Sequence, residues 1–325
     1  MARFTGMMRK GSSAQPSMLS LVEEYLVLRR RLGFSMRSGG WRLRNFARYA
    51  DGTCHRGPIT AELAMRWARQ PERSPRSWAH RLSTLRPFAR YRLLFDPGTE
   101  IPPTRCFGSA NHRPTPYIYS QDEIGALMRA AARLAPSGGT ISKTIVALFG
   151  LLVSTGMRIS EALRLNLSDV DLTAGVITIN ESKFQRQRVV PLHASACDAL
   201  RRYLRLRHYQ RPSESQAFFL AESGRSLRYW RVREIFVELR ARLGWTGHQG
   251  RPPRIHDIRH TFAVSRLLRW YEEGADVDNR IATLSRYLGH VSVIGTYWYL
   301  SAVPELMTLV SKRYQRFIRS GGGRP

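Results

Sequence analysis

The sequence predicts a mostly helical α+β protein: a helical N-terminal domain, then a second helical domain carrying a small antiparallel sheet. Three observations lead there. Apolar residues recur at helical spacing through residues 17–95 and again from residue 120 onward. One stretch, "DLTAGVITINESKFQRQRVVPL", alternates apolar and polar residues as a strand pair does, with Lys183 near its turn. Between the helical regions, residues 97–117 hold Pro97, Pro102, Pro103, Pro114 and Pro116, the composition of an extended linker. Domains are therefore expected at 1–96 and 118–325.

Taken in order, "SMLSLVEEYLVLRRRLGF" opens at Ser17, a helix-capping residue type. "SGGWRLRNFARYADG" and "TAELAMRWARQ" follow, bounded by Gly, Thr or Pro. "SPRSWAHRLSTLRPFARYRLLF" continues the helical pattern, with Pro87 an expected kink or break. Its Arg81, Arg86 and Arg90, interleaved with Trp78, Phe88 and Tyr91, suit contact with a nucleic-acid groove or backbone. In the second domain, Ser120 and Glu123 of "SQDEIGALMRAAARL" have capping-box spacing. Further helices are expected at 141–154, 193–210, 227–243, 257–273 and 280–288. In the amphipathic tail, Val303, Leu306, Leu309 and Val310 form one apolar stripe.

Charge narrows the function. The 325 residues include 52 Lys and Arg against 24 Asp and Glu, a net charge of +28. A charge of that size repels itself in a compact chain and calls for an acidic partner. Double-stranded DNA comes first and an anionic membrane surface second. The longest apolar run, "TIVALFGLLV", is about half a membrane span, and no signal-peptide core opens the chain. A cytoplasmic, nucleoid-associated protein is expected, with no membrane partner. Three widely spaced cysteines exclude a disulfide framework and a zinc cluster.

Four short motifs carry the chemistry. "STGMRISEAL" holds Arg158 and Glu161, and "ESKFQRQRVVPL" holds Lys183, Arg186 and Arg188. "HDIRHTFA" holds His256, Arg259 and His260, and "LGH" ends in His290 with Tyr299 nine residues on. In this order and spacing they resemble the tyrosine recombinase (phage integrase) family, over about residues 118–305. The first domain is similar to that family's core-binding, SAM-like domain in type and size only.

The resemblance implies a role for each residue. Tyr299, nine residues after His290 and three after Thr296, is the nucleophile; Tyr297 fits neither spacing. Two residues on a helix turn by about 200°, so only one of the two hydroxyls can face a phosphate. Arg158 and Arg259 hold the phosphodiester and neutralise charge growing in the transition state, as guanidiniums can without a metal. Lys183 protonates the leaving 5′ oxygen. His256 accepts the tyrosine proton and His290 hydrogen-bonds the phosphate. Glu161 and His260 support their neighbours. Arg186 and Arg188 are either DNA contacts or plain strand-surface charges.

A rival reading takes His256 and His260, four apart on a helix, as half a zinc site. Arg259 between them opposes a dication, so neither metal nor cofactor is expected. The family's habits further imply a homotetramer on two DNA sites, with the tail docking on a neighbouring protomer. A bacterial mobile-element integrase or transposase, with possible co-encoded recombinases, is the expected role. A type IB topoisomerase and a dimer-resolving recombinase are the alternatives.

Overall fold

The computed structural model describes residues 16–70, 74–108, 115–135, 139–180, 187–210, 215–247, 251–290, 292–302 and 307. The chain divides into two compact units, Met1–Pro114 and Thr115–Pro325. Lys183, Arg186 and the tail stripe Val303, Leu306, Leu309 and Val310 lie outside the described residues.

The first unit holds four helices among its described residues: α1 (Met18–Arg31), α2 (Arg37–Gly52), α3 (Ala61–Arg69) and α4 (Pro75–Leu93). Ser17 caps α1 by accepting from the Ser20 amide, and Asp51 takes the Met18 and Leu19 amides at 2.9 and 3.0 Å. These bonds satisfy donors that a helix start leaves orphaned. Leu26, Phe46, Trp67, Leu82 and Phe88 pack one core from all four helices. Helix α4 continues past Pro87 without a break. A mid-helix proline costs about 3 kcal/mol. Burying Leu85, Phe88 and Ala89 around it offsets that cost, since a large apolar side chain contributes about 2 kcal/mol.

Packing removes most of the expected DNA face of α4. Arg81 is buried, and its guanidinium donates to the carbonyls of Trp67 and Ala68 and to Asn45 Oδ1. It therefore closes the C-terminal end of α3, where carbonyls lack helical partners. Arg86 donates to the carbonyls of Pro102 and Pro103, at 2.9 and 2.5 Å, and so holds the chain after α4. Phe88 is core, Tyr91 donates to Glu24, and Trp78 packs on Phe107. Of the three arginines, Arg90 is the exposed one. Arg81→Ala should cost the first unit about 2–3 kcal/mol, because it removes a donor from the buried Ala68 and Trp67 carbonyls and from Asn45 Oδ1. Arg90→Ala should change stability by less than about 0.5 kcal/mol. Urea unfolding of the two variants checks this.

The second unit begins with α5 (Gln121–Ala132), whose Ser120–Glu123 capping box forms as expected. Helix α6 (Thr140–Thr155) is buried almost all round, with Ile145, Leu148, Phe149 and Leu152 at its centre. A single turn, α7 (Ile159–Ala162), leads through a 3-10 turn (Leu167–Asp169) into the sheet. Strands β1 (Val170–Asp171), β2 (Val176–Asn180) and β3 (Gln187–Pro191) pair antiparallel in that order, with Ile177 opposite Val190 and Ile179 opposite Arg188. Helices α8 (Ala194–Gln210), α9 (Tyr229–Arg242), α10 (Ile255–Glu272), α11 (Val277–Leu288) and α12 (Ile294–Ala302) complete the unit.

Two helix starts differ from expectation for a local reason. Asp257 accepts from the Arg254 amide, so α10 begins at Ile255 and takes His256 into its first turn. Asp276 caps α11 through the Asn279 amide, so that helix begins at Val277. No helix among the described residues is long and apolar enough to cross a membrane. A small cluster built from Val264 and Leu267 of α10, Ile281, Leu284 and Leu288 of α11, and Tyr299 of α12 positions the site.

Candidate active site

The site forms where three helices end or begin. Helix α6 stops at Gly156, whose φ of +62° is the left-handed conformation glycine favours. A side chain there is also sterically excluded, since a Cβ would lie 2.4 Å from the Phe262 ring. The turn delivers Arg158 at the head of α7. Helix α11 stops at Gly289, φ +65°, and delivers His290.

Both arginines are held by these helix ends. Arg259 donates to the Gly156 carbonyl at 2.9 Å and to the Leu288 carbonyl at 2.5 Å. Arg158 donates to the Gly289 carbonyl at 2.6 Å. The C-terminal end of a helix carries partial negative charge, so these carbonyls suit guanidiniums. Arg259 is 3% exposed. Burial, and then the Arg158 charge, lower its pKa to about 10, which leaves it cationic near neutral pH.

Glu161 is the buried counter-charge. Its carboxylate accepts from the Arg158 amide and guanidinium, at 2.8 and 2.6 Å, and from Arg188 at 2.7 Å. Burial pushes the carboxyl's pKa up, but Arg188 and Arg158 outweigh it and the net shift is downward. Arg188 is therefore a largely buried strut to the turn that carries Arg158, not an exposed strand charge. The alternation of β3 carries the signal in retrospect, because Arg188 shares the inward parity of buried Val190.

On α12, Thr296 and Tyr299 are buried, at 0% and 2% exposure, while Tyr297 is 43% exposed. Tyr297 thus stands on the surface, while Trp298 packs on the small cluster. Thr296 Oγ1 lies 2.7 Å from His290 Nδ1 and fixes that ring, which stacks 6.5 Å from the Tyr299 ring. Thr296 entered the sequence reading only as a spacing marker.

The hydroxyl of Tyr299 lies 2.8 Å from His260 Nδ1. Proton acceptance was expected of His256, yet it is His260 that hydrogen-bonds the hydroxyl, with His256 edge-on against the His260 ring at 4.8 Å. Desolvation, then the neighbouring His256, lower the pKa of His260 to about 3. His256 is open to solvent on one side and enclosed on the others; desolvation followed by the Arg259 charge lowers its pKa too. Both rings are neutral near pH 7. Among the described residues no three His, Cys, Asp or Glu side chains converge to hold a metal.

The arrangement can grip an anion with two fixed cations and offer it a buried hydroxyl. Comparison with known proteins points the same way. Residues 118–305 match the phage integrase family. The chain is 42% identical over 305 residues to a Sinorhizobium fredii protein named as an integrase/recombinase, y4rB, covering 91% of this chain and 96% of that one. It is 32% identical to the tyrosine recombinase XerD of Bifidobacterium longum, over 73% of this chain and 75% of that one. In fold it resembles the integrase of transposon Tn1549, solved with transposon right-end DNA, at 16% identity, a TM-score of 0.68 and coverage of 93% and 100%.

Proposed function

The chain belongs to the phage integrase family of tyrosine recombinases, and from that premise we propose that it cuts and rejoins double-stranded DNA through a 3′-phosphotyrosine intermediate. One observation carries the reading: the Tyr299 hydroxyl is buried in the site that two helix-tethered guanidiniums, Arg158 and Arg259, share. A phosphodiester is anionic, and its alkoxide is a poor leaving group. Arg158 and Arg259 take the non-bridging oxygens and stabilise the charge that builds on them. Glu161 and Arg188 keep Arg158 in place. His290 hydrogen-bonds the phosphate, and Lys183 protonates the departing 5′ oxygen. A 5′ hydroxyl from another strand reverses the step, so the phosphodiester energy is conserved and no nucleotide cofactor is required.

The 42% identity to a relative named integrase/recombinase supports a role in integrating or excising a mobile element. The excess of 52 basic over 24 acidic residues fits a protein that binds the duplex backbone. A nicked suicide substrate built from the DNA that flanks the gene tests the reaction, because the released strand diffuses away and leaves the adduct trapped. A protease-sensitive DNA adduct is expected, and it should form undiminished in excess EDTA. An adduct that needs added zinc or magnesium would revive the metal reading of His256 and His260.

Strand exchange requires two sites, and the assembly proposed is a homotetramer in which the apolar tail docks on a neighbouring protomer. Deleting residues 305–325 should leave single-site binding intact in gel shifts while weakening assembly on two-site DNA in light scattering. A truncated protein that assembles normally would end the docking proposal.

A further inference from the structure

The nucleophile's hydroxyl is hydrogen-bonded to a histidine outside the set that the motifs single out for chemistry. His260 Nδ1 lies 2.8 Å from the Tyr299 hydroxyl, and the opposite nitrogen, Nε2, lies 4.0 Å from the buried Asp257 carboxylate. A ring proton is favoured on the nitrogen that faces a carboxylate. That places the proton on Nε2 and leaves Nδ1 as the acceptor for the Tyr299 hydroxyl. Asp257 is itself fixed by the Arg254 amide and guanidinium, at 2.8, 3.1 and 2.7 Å. Trp298 packs on the other side, 5.8 Å from the His260 ring centre. The imidazole thus lies between the Tyr299 hydroxyl at Nδ1 and, beyond hydrogen-bond distance, the Asp257 carboxylate at Nε2. This is the logic of the activated nucleophile, in which a base touches the nucleophile and a third group orients the base.

We propose that His260 is the catalytic base for strand cleavage, an inference that rests on Tyr299 being the nucleophile. As the Tyr299 oxygen forms its bond to phosphorus, the bond from phosphorus to the 5′ oxygen breaks. The hydroxyl proton passes to His260 Nδ1, and the departing 5′ oxygen takes a proton from Lys183. On rejoining, the 5′ hydroxyl attacks and gives its proton back to Lys183, the phosphorus–tyrosine bond breaks, and His260 returns the other proton to the tyrosine oxygen. Each transfer conserves atoms and charge.

The electrostatic setting suits a base that starts neutral. Burial, together with the fixed charges of Arg254 just before α10 and Arg259 within it, disfavours protonation of the ring. The incoming phosphate carries the opposite charge and relieves that repulsion as it binds. The phenol also becomes far more acidic as its oxygen bonds to phosphorus, so a weak base suffices in the transition state.

The test uses the full-length protein and the nicked suicide substrate. His260→Asn sets an amide oxygen near the place of Nδ1, keeping an acceptor that cannot titrate; His260→Ala removes it. Both should bind DNA as the wild type does and cleave on the order of 10²–10⁴-fold more slowly. Between about pH 7 and pH 9 the wild-type rate should be flat. The variants' rates should rise roughly tenfold per pH unit, because hydroxide then takes the proton. Wild-type speed in His260→Asn overturns the proposal, as does slow cleavage with the wild-type pH profile. If either variant fails to fold, nitrogen-15 spectra of wild-type histidines decide, and a neutral His260 carrying its proton on Nδ1 overturns the proposal. Tyr299→Phe serves as the separate control: an adduct in that variant refutes the nucleophile, whatever His260 does.

Discussion

Tyr299→Phe should abolish covalent attachment to DNA and leave DNA binding intact. The substitution removes one oxygen and keeps the ring, which packs with Val264, Leu284 and Leu288. The lost hydrogen bond to His260 costs about 1 kcal/mol of stability, too little to unfold the domain. Tyr297→Phe is the matched comparison, because Tyr297 is exposed and lies about 200° around the helix from its neighbour. It should cleave at the wild-type rate. Denaturing gels of suicide-substrate reactions, with and without protease, report both outcomes. A protease-sensitive adduct from Tyr299→Phe would refute the assignment.

Lys183→Ala should slow cleavage of ordinary DNA by about 10²–10⁴-fold, the usual worth of a general acid. A substrate with sulfur in place of the bridging 5′ oxygen has a leaving group that needs almost no proton. It should restore cleavage by Lys183→Ala. It should not restore Arg158→Ala, whose defect lies at the non-bridging oxygens and is expected to be about 10²–10³-fold or larger. The Arg158 variant also strands the Gly289 carbonyl and strips Glu161 of one partner, so its folding needs checking by circular dichroism. Equal rescue of the two variants removes the general-acid role from Lys183.

Much of this protein is local information. Helical periodicity, the Ser120–Glu123 box and the alternation around residues 176–191 act over a few residues, and those elements appear in the structure where the sequence places them. The order and spacing of Arg158, His256, Arg259, His290 and Tyr299 are equally visible, because the chemistry needs those residue types.

Other features depend on partners distant in sequence. Arg81 reads as a surface cation until α3 packs against α4 and offers it the carbonyls of Trp67 and Ala68. Arg188 reads as a strand charge until β3 brings it to Glu161, 27 positions away. His260 reads as a supporting residue until α12 sets the Tyr299 hydroxyl on its Nδ1, 39 positions away. The sequence by itself determined the helices, the sheet and the candidate site residues, since each follows from short-range pattern. Only the tertiary structure decided which cations are structural and which histidine meets the Tyr299 hydroxyl. A hydrogen-bonding group is claimed by whichever unsatisfied partner the packing brings within about 3 Å, and no pattern along the chain encodes that distance.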